Sequence, residues 1–217
     1  MVSMTLSAVA STPGRDLVPE DVAHLPWSDL AVEVLDGMLT VSRSTPFTWV
    51  DLREIPDDLL RYETIDGVLY VTNTPSTCHQ RAVRKLSVLL DELCPPELEP
   101  FFAPFAVRLA DDTEIQPDVL LAPDGAVREW GLLGAPLLAV EALSPSTRRY
   151  DLREKKDRLA RAECLHYWIV DPDEPSIVAW ELVEGEYVEV GRAVGEEALV
   201  LERPFKISVT PQRLAER

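Results

Sequence analysis

Leu137-Leu138-Ala139-Val140-Glu141-Ala142-Leu143 is a nearly continuous apolar run with a single charge inside it. A run this short and this apolar reads as a central strand covered on both faces. Such a strand needs layers above and below it, and with the order of elements along the rest of the chain this predicts an α/β arrangement: a mixed sheet flanked by helices.

The rest of the chain supplies partners for that strand. Val83, Leu86, Leu90 and Leu93 fall on one helical face, Ser76 and Thr77 offer caps, and Pro95-Pro96 stops the element. The spacing predicts a helix from about His79 to Leu93. Phe101 to Leu109 and Ile115 to Leu121 read as strands separated by the turn Asp111-Asp112. Asp151-Leu152-Arg153-Glu154 has the form of a capping box and predicts a helix from Asp151 to about Glu163. Leu165 to Val170 is a further buried strand. Ile177–Val183 and Tyr187–Val190 form a hairpin around Gly185, and a short strand follows near Ala198 to Leu201.

Residues 1 to 20 read as a flexible tail, rich in Ser, Thr and Pro and without apolar periodicity, and 211–217 as a C-terminal tail. Between them, 21–46 is an N-terminal extension. Its stretch Val32 to Ser42 resembles Tyr62 to Thr72 at an offset of 30 residues, each copy broken by Asp-Gly. Asp-Gly amid alternating apolar residues is a hairpin signal, so a degenerate hairpin repeat is expected; two unrelated Asp-Gly hairpins would look much the same.

Three scattered cysteines, Cys78, Cys94 and Cys164, form no CxxC pair and point to a reducing, cytoplasmic setting. The stretch Met4 to Ala10 lacks a basic leader and makes a poor signal peptide. No run approaches the roughly 18 apolar residues of a membrane span. With His24, His79 and His166 the cysteines do not reproduce zinc-ligand spacing, and no phosphate-binding glycine loop or GxSxG elbow occurs. The formal net charge of -17 argues against a broad phosphate-gripping face. The clusters Arg81, Arg84, Lys85 and Arg148 to Arg161 leave room for local basic stripes.

Two acids sit where a purely structural role is uncomfortable. Asp118 lies in the apolar strand Pro117 to Leu121, and Glu141 interrupts the central strand. A lone carboxylate on a buried strand is costly unless it meets a cation or a proton. Lys155, three residues after Leu152 and four before Leu159, falls on the inward stripe of its helix; Lys156 flanks the stripe on the other side. Two carboxylates and a lysine are what metal-assisted phosphodiester hydrolysis requires, with Mg²⁺ or Mn²⁺ held by Asp118 and Glu141. A buried ion-pair network without chemistry is the alternative for the same three residues. Glu63, as a third carboxylate, and His79, as a phosphate contact or proton carrier, are secondary candidates.

Pro117-Asp118, Glu141-Ala142-Leu143-Ser144-Pro145-Ser146-Thr147, Asp151 to Lys155 and Tyr167-Trp168-Ile169-Val170-Asp171-Pro172, with Tyr62 to Gly67 and Pro75-Ser76 to His79-Gln80 upstream, resemble the Uma-two family of predicted restriction endonucleases. The resemblance covers about residues 47 to 210. It implies a restriction-endonuclease-like fold of the PD-(D/E)xK type, a divalent metal and a DNA substrate. By it, Asp118 and Glu141 are metal ligands and Lys155 is the catalytic lysine. The position two residues after Glu141, where the parent superfamily carries its lysine, is Leu143, so the resemblance implies a lysine moved onto the next helix. Leu159 and Glu163-Cys164-Leu165 replace a frequent Tyr and a Gly-Val-Pro turn. A catalytically silent nucleic-acid- or protein-binding module is the rival expectation, and a homodimer is left open.

Overall fold

Asp-Gly turns organise the N-terminal half. The computed structural model describes residues 15–216. In it β1 (Ala31–Leu35) and β2 (Met38–Ser42) form one hairpin, and β3 (Arg61–Ile65) and β4 (Val68–Thr72) form another. Asp36 and Asp66 both take φ 50°, and Gly37 and Gly67 follow at 89° and 78°. Both central positions of a two-residue hairpin turn need positive φ, which Asp-Gly accommodates. The two look-alike segments thus share their turn, and they pair with each other through β2 and β4.

Helix α1 (Thr77–Leu93) follows, capped by Ser76, whose hydroxyl accepts from the His79 amide. Then come β5 (Leu98–Phe102), β6 (Val107–Ala110), β7 (Thr113–Ile115) and β8 (Val119–Pro123). The short pair β9 (Val127–Arg128) and β10 (Gly131–Leu133) leads to the central strand β11 (Leu138–Ala142). A continuous helical segment runs through α2 (Arg148–Tyr150), a π turn (Asp151–Lys155) and α3 (Lys156–Arg161). Strands β12 (His166–Asp171), β13 (Ser176–Val183) and β14 (Glu186–Val194) come next, then β15 (Leu199–Leu201), β16 (Ile207–Val209) and α4 (Pro211–Ala215).

The expected mixed-sheet architecture is present, but divided into two larger sheets. One has eight strands in the order β1-β2-β4-β3-β7-β6-β10-β9, the other six in the order β14-β13-β12-β11-β8-β5, and β15 pairs β16 apart from them. Two expected strands account for the difference. Phe101 to Leu109 breaks at Ala103-Pro104, and Ile115 to Leu121 breaks at Gln116-Pro117-Asp118, so β5 and β8 join one sheet while β6 and β7 join the other. Proline has no N–H to give to a ladder, so each break falls where the chain leaves a sheet. Asp118 accordingly stands just before β8, at the crossing, and not within the strand.

Side-chain parity in the six-stranded sheet decides what meets what. Leu138, Val140 and Ala142 of β11, Val119 and Leu121 of β8, and Trp168 and Val170 of β12 pack with Leu86 and Leu90 of α1. Ala139 and Leu143, Leu120 and Ala122, and Tyr167 and Ile169 pack with Tyr150 and Leu159 of the other helical segment. Full burial of a Leu such as Leu86 or Leu90 contributes about 1.5–3 kcal/mol. Glu141 shares the parity of Ala139 and Leu143, so it belongs to the face that the lysine-bearing segment covers. Asp118, at the crossing before β8, lies 2.9 Å from His79 of α1.

Several terminal expectations change. Residues 1–14 of the expected tail lie outside the described residues, but Leu17 is buried and its amide donates to the Gly37 carbonyl, so the chain is anchored there. The expected C-terminal tail contains α4, which packs on α1 through the buried Leu214. Among the described residues no helix is long and apolar enough to cross a membrane.

Candidate active site

The helix expected to open at Asp151 begins three residues earlier, at Arg148, because Ser144 and Thr147 make the entry turn: the Thr147 amide donates to Ser144 Oγ at 3.3 Å. Asp151 is no cap. It is 3% exposed and lies one helical turn from Lys155 on the same face. The π turn that carries both changes the phase of the helix, as π turns at functional sites do. Leu152, expected inside, is 36% exposed, while Asp151, Lys155 and Leu159 face inward. Lys156, the alternative lysine, lies with its Nζ 4.0 Å from the centre of the Trp180 ring and takes no part in the site.

Lys155 Nζ stands 2.9 Å from Glu141 Oε1, 3.0 Å from Glu63 Oε1 and 4.0 Å from Asp151 Oδ1. The lysine is 1% exposed and lies 5.3 Å from the centre of the Tyr150 ring, which itself stacks on Tyr70. Burial works against its charge, but the facing acids overcome this and hold the ammonium above its ordinary range. Glu63 reaches the cluster from β3 and also accepts from the Gln116 amide at 2.5 Å, beside the Pro117 crossing. The turn of that same hairpin is tied to α3, since Arg158 and Arg161 both pair with Asp66.

Asp118 has a different environment. Its Oδ1 accepts from Arg61 Nη2 at 2.9 Å, and its Oδ2 lies 2.9 Å from both His79 Nε2 and the Ala142 amide. Burial alone would raise this carboxyl; the Arg61 charge and the His79 bond outweigh it and hold the group well below the usual range. Glu141 goes the other way. Burial pushes it well above the ordinary range, Lys155 only partly offsets that, and Asp118 adds to it. Burial likewise raises Asp151 to about 7 against the pull of Lys155. Two neighbouring acids driven apart in this way are a common signature of a functional site.

All four expected site residues, Glu63, Asp118, Glu141 and Lys155, line one cavity of about 350 Å³, as do His79 and Tyr150. Asp16, Pro145 and Asp173 at its rim are exposed, so the hollow opens to solvent. Sequence reasoning missed Arg61, Tyr150 and the inward role of Asp151. Arg61 and Glu63 are two apart on one strand and must share a face, and Asp151 and Lys155 are four apart on one helix. Those signals were present. Tyr150, in α2 just before the π turn, had none.

The donor set suits a hard divalent cation. Glu141 Oε1, although 2.9 Å from Lys155 Nζ, has no aligned hydrogen-bond donor, so a buried carboxyl oxygen is left with free lone pairs. Among the described residues no group of three or more His, Cys, Asp or Glu side chains is placed to cage a metal. Mg²⁺ takes as few as one or two carboxylates, with waters and substrate oxygens completing its shell, so a site without a three-side-chain cage is compatible with it.

A family model described as "Uma2: Putative restriction endonuclease" matches residues 49–213. Among solved structures, a chain described as a putative nuclease belonging to DUF820 from Anabaena variabilis ATCC 29413 aligns with a TM-score of 0.64 at 18% identity, over 78% of this chain and 98% of that one. No curated protein matches the chain.

Proposed function

Because the chain belongs to the Uma2 restriction endonuclease family and has a restriction-endonuclease-like α/β fold, we propose that it is a Mg²⁺- or Mn²⁺-dependent endonuclease that hydrolyses DNA phosphodiester bonds. The observation that carries the reading is the buried Lys155 ammonium within 3.0 Å of Glu141 and Glu63, in the cavity that Asp118 also lines.

Asp118 and Glu141 would hold the metal. When bound, the ion lowers the pKa of a coordinated water and offsets charge at the phosphate. The remaining work falls to the chain. Asp118, ionised and fixed through one oxygen by His79 and the Ala142 amide, would present its other oxygen to the ion once Arg61 gives way. Lys155 orients the attacking water or stabilises the negative charge that develops on the phosphate oxygens. Glu63 and Asp151 keep the lysine charged and aimed, and the stacked Tyr70 and Tyr150 wall its stem from solvent.

The acidic rim, Asp16 and Asp173, together with the net charge of -17, favours a second reading: a binding module that keeps the fold without turnover. Incubation of supercoiled DNA with the purified protein separates the two. The endonuclease reading expects nicking with Mg²⁺ or Mn²⁺, none with EDTA, and none from Asp118→Asn or Lys155→Ala variants whose circular dichroism is unchanged. Metal-independent inertness of the wild type would leave the binding module standing.

A further inference from the structure

We propose that the face of α1 beside the site is a subsite for a single, unpaired DNA strand flanking the cut; this rests on the nuclease reading and names the form of its substrate. Three hollows adjoin one another around the N-terminus of α1. The acid cavity shares Arg61, Asn73, Thr74 and Pro75 with a second hollow of about 510 Å³. That hollow shares Gln80 with a third of about 570 Å³, and the Ala103-Pro104 that lines it follows directly on Phe102 of the third.

The third hollow is locally basic. In a chain of net charge -17 its lining includes Arg81 and Arg84 and no acid. Neither arginine forms a salt bridge among the described residues, and Arg84 is exposed. The acidic rim of the cavity repels phosphates, so the cations that hold a strand must lie beyond it, and this groove supplies them. Phe102 of β5, 61% exposed, lines it beside the helix, and Val88 of α1, 49% exposed, continues the arginine-bearing face. An exposed aromatic ring beside two arginines is the arrangement that takes a base on its face and phosphates on its cations. Paired bases within a duplex offer no free face to such a ring, which selects an unpaired strand. From Thr77 to Val88 the helix gives about 16 Å of track at about 1.5 Å per residue.

The test is fluorescence anisotropy with a fluorescein-labelled 20-nucleotide DNA strand and the matching blunt duplex, at low salt and with EDTA so that nothing is cut. The strand should bind at least about fivefold more tightly than the duplex. Arg84→Glu and Phe102→Ala, both at exposed positions, should each weaken strand binding about tenfold. Arg84→Glu should also flatten the salt dependence by about 0.7 in log–log slope, one phosphate contact on a single strand. Lys206→Glu, the same charge change at a residue whose side chain is 77% exposed and lies outside the groove, should change binding less than twofold. Equal binding of strand and duplex, no binding, or groove variants that bind as the wild type would overturn the subsite. Nicking that persists in such groove variants leaves the nuclease reading intact while removing the subsite. Arg84- and Phe102-dependent binding by a protein that cuts nothing keeps the subsite and removes the nuclease.

Discussion

Arg61 donates from Nη2 to Asp118 Oδ1 at 2.9 Å, so one oxygen of a proposed metal ligand is already held by a cation. The guanidinium also lies within the field of Glu63 and Glu141. It is a resident positive charge in the hollow that a divalent ion would enter, and the two must compete. Arg61→Gln is therefore expected to tighten Mn²⁺ binding about tenfold, since it frees the oxygen and removes a repelling charge. Calorimetric titration measures this, and weaker binding by the variant would count against the competition.

Lys155 and Glu141 should respond unequally to removal. Lys155→Met leaves Glu63, Glu141 and Asp151 facing one another without their common cation, and breaking a buried pair in this way costs about 3–5 kcal/mol. Glu141→Gln keeps the volume and removes a carboxyl that burial already holds well above its ordinary range, so it is expected to cost less than Lys155→Met. Urea unfolding in EDTA compares them; equal losses would show that Glu141 is charged in the folded protein.

The Asp151 carboxyl sets a pH dependence. Burial raises it to about 7 from the ordinary 3.8, so the folded protein binds its proton more tightly than the unfolded chain does. Stability from this group is fully present below about pH 3.8 and is lost as the pH rises through about 7. Between pH 5 and pH 7 the wild type should lose about 2 kcal/mol that Asp151→Asn does not lose. Paired denaturation curves at the two pH values give the difference directly, and parallel behaviour of the two proteins would exclude a raised Asp151.

The Asp66-Gly67 turn anchors the strand that carries Glu63. A Cβ at Gly67, where φ is +78°, would stand 2.5 Å from Pro46 Cβ, whereas one at Gly185, with φ +86°, meets nothing within 4 Å. Gly185→Ala should cost about 1–2 kcal/mol of backbone strain, and Gly67→Ala clearly more because Pro46 must also shift. Thermal melting ranks them, and the reverse order would contradict the packing of Pro46 beneath the turn.

Much of this arrangement was legible in the residues. The buried strand with Glu141 inside it, α1 with its Ser76 cap, and both Asp-Gly hairpins follow from apolar period and turn chemistry, which are local signals. Division into two sheets was not, because apolar alternation continues through Pro104 and Pro117 while the chain crosses between layers. The inward direction of Lys155 was expected for a partly mistaken reason. A regular stripe through Leu152 implied it, but a π turn delivers it and exposes Leu152. Asp151 resembled a cap because D-x-x-E fits a capping box, and only the earlier start at Arg148 puts it inside. Arg61 escaped notice because a cation at the start of a strand reads as solvated until the opposite acid, 57 residues later in the chain, is known to face it.

The central claim is that Asp118 and Glu141 together hold a divalent ion beside Lys155. Anomalous diffraction from crystals equilibrated with Mn²⁺ tests it without reference to turnover. The account predicts a single strong peak in the acid cavity, at about 2.0–2.2 Å from an oxygen of each carboxylate, with the Arg61 guanidinium displaced from Asp118. A cavity without a peak at saturating Mn²⁺, with Arg61 still bonded to Asp118, would contradict it.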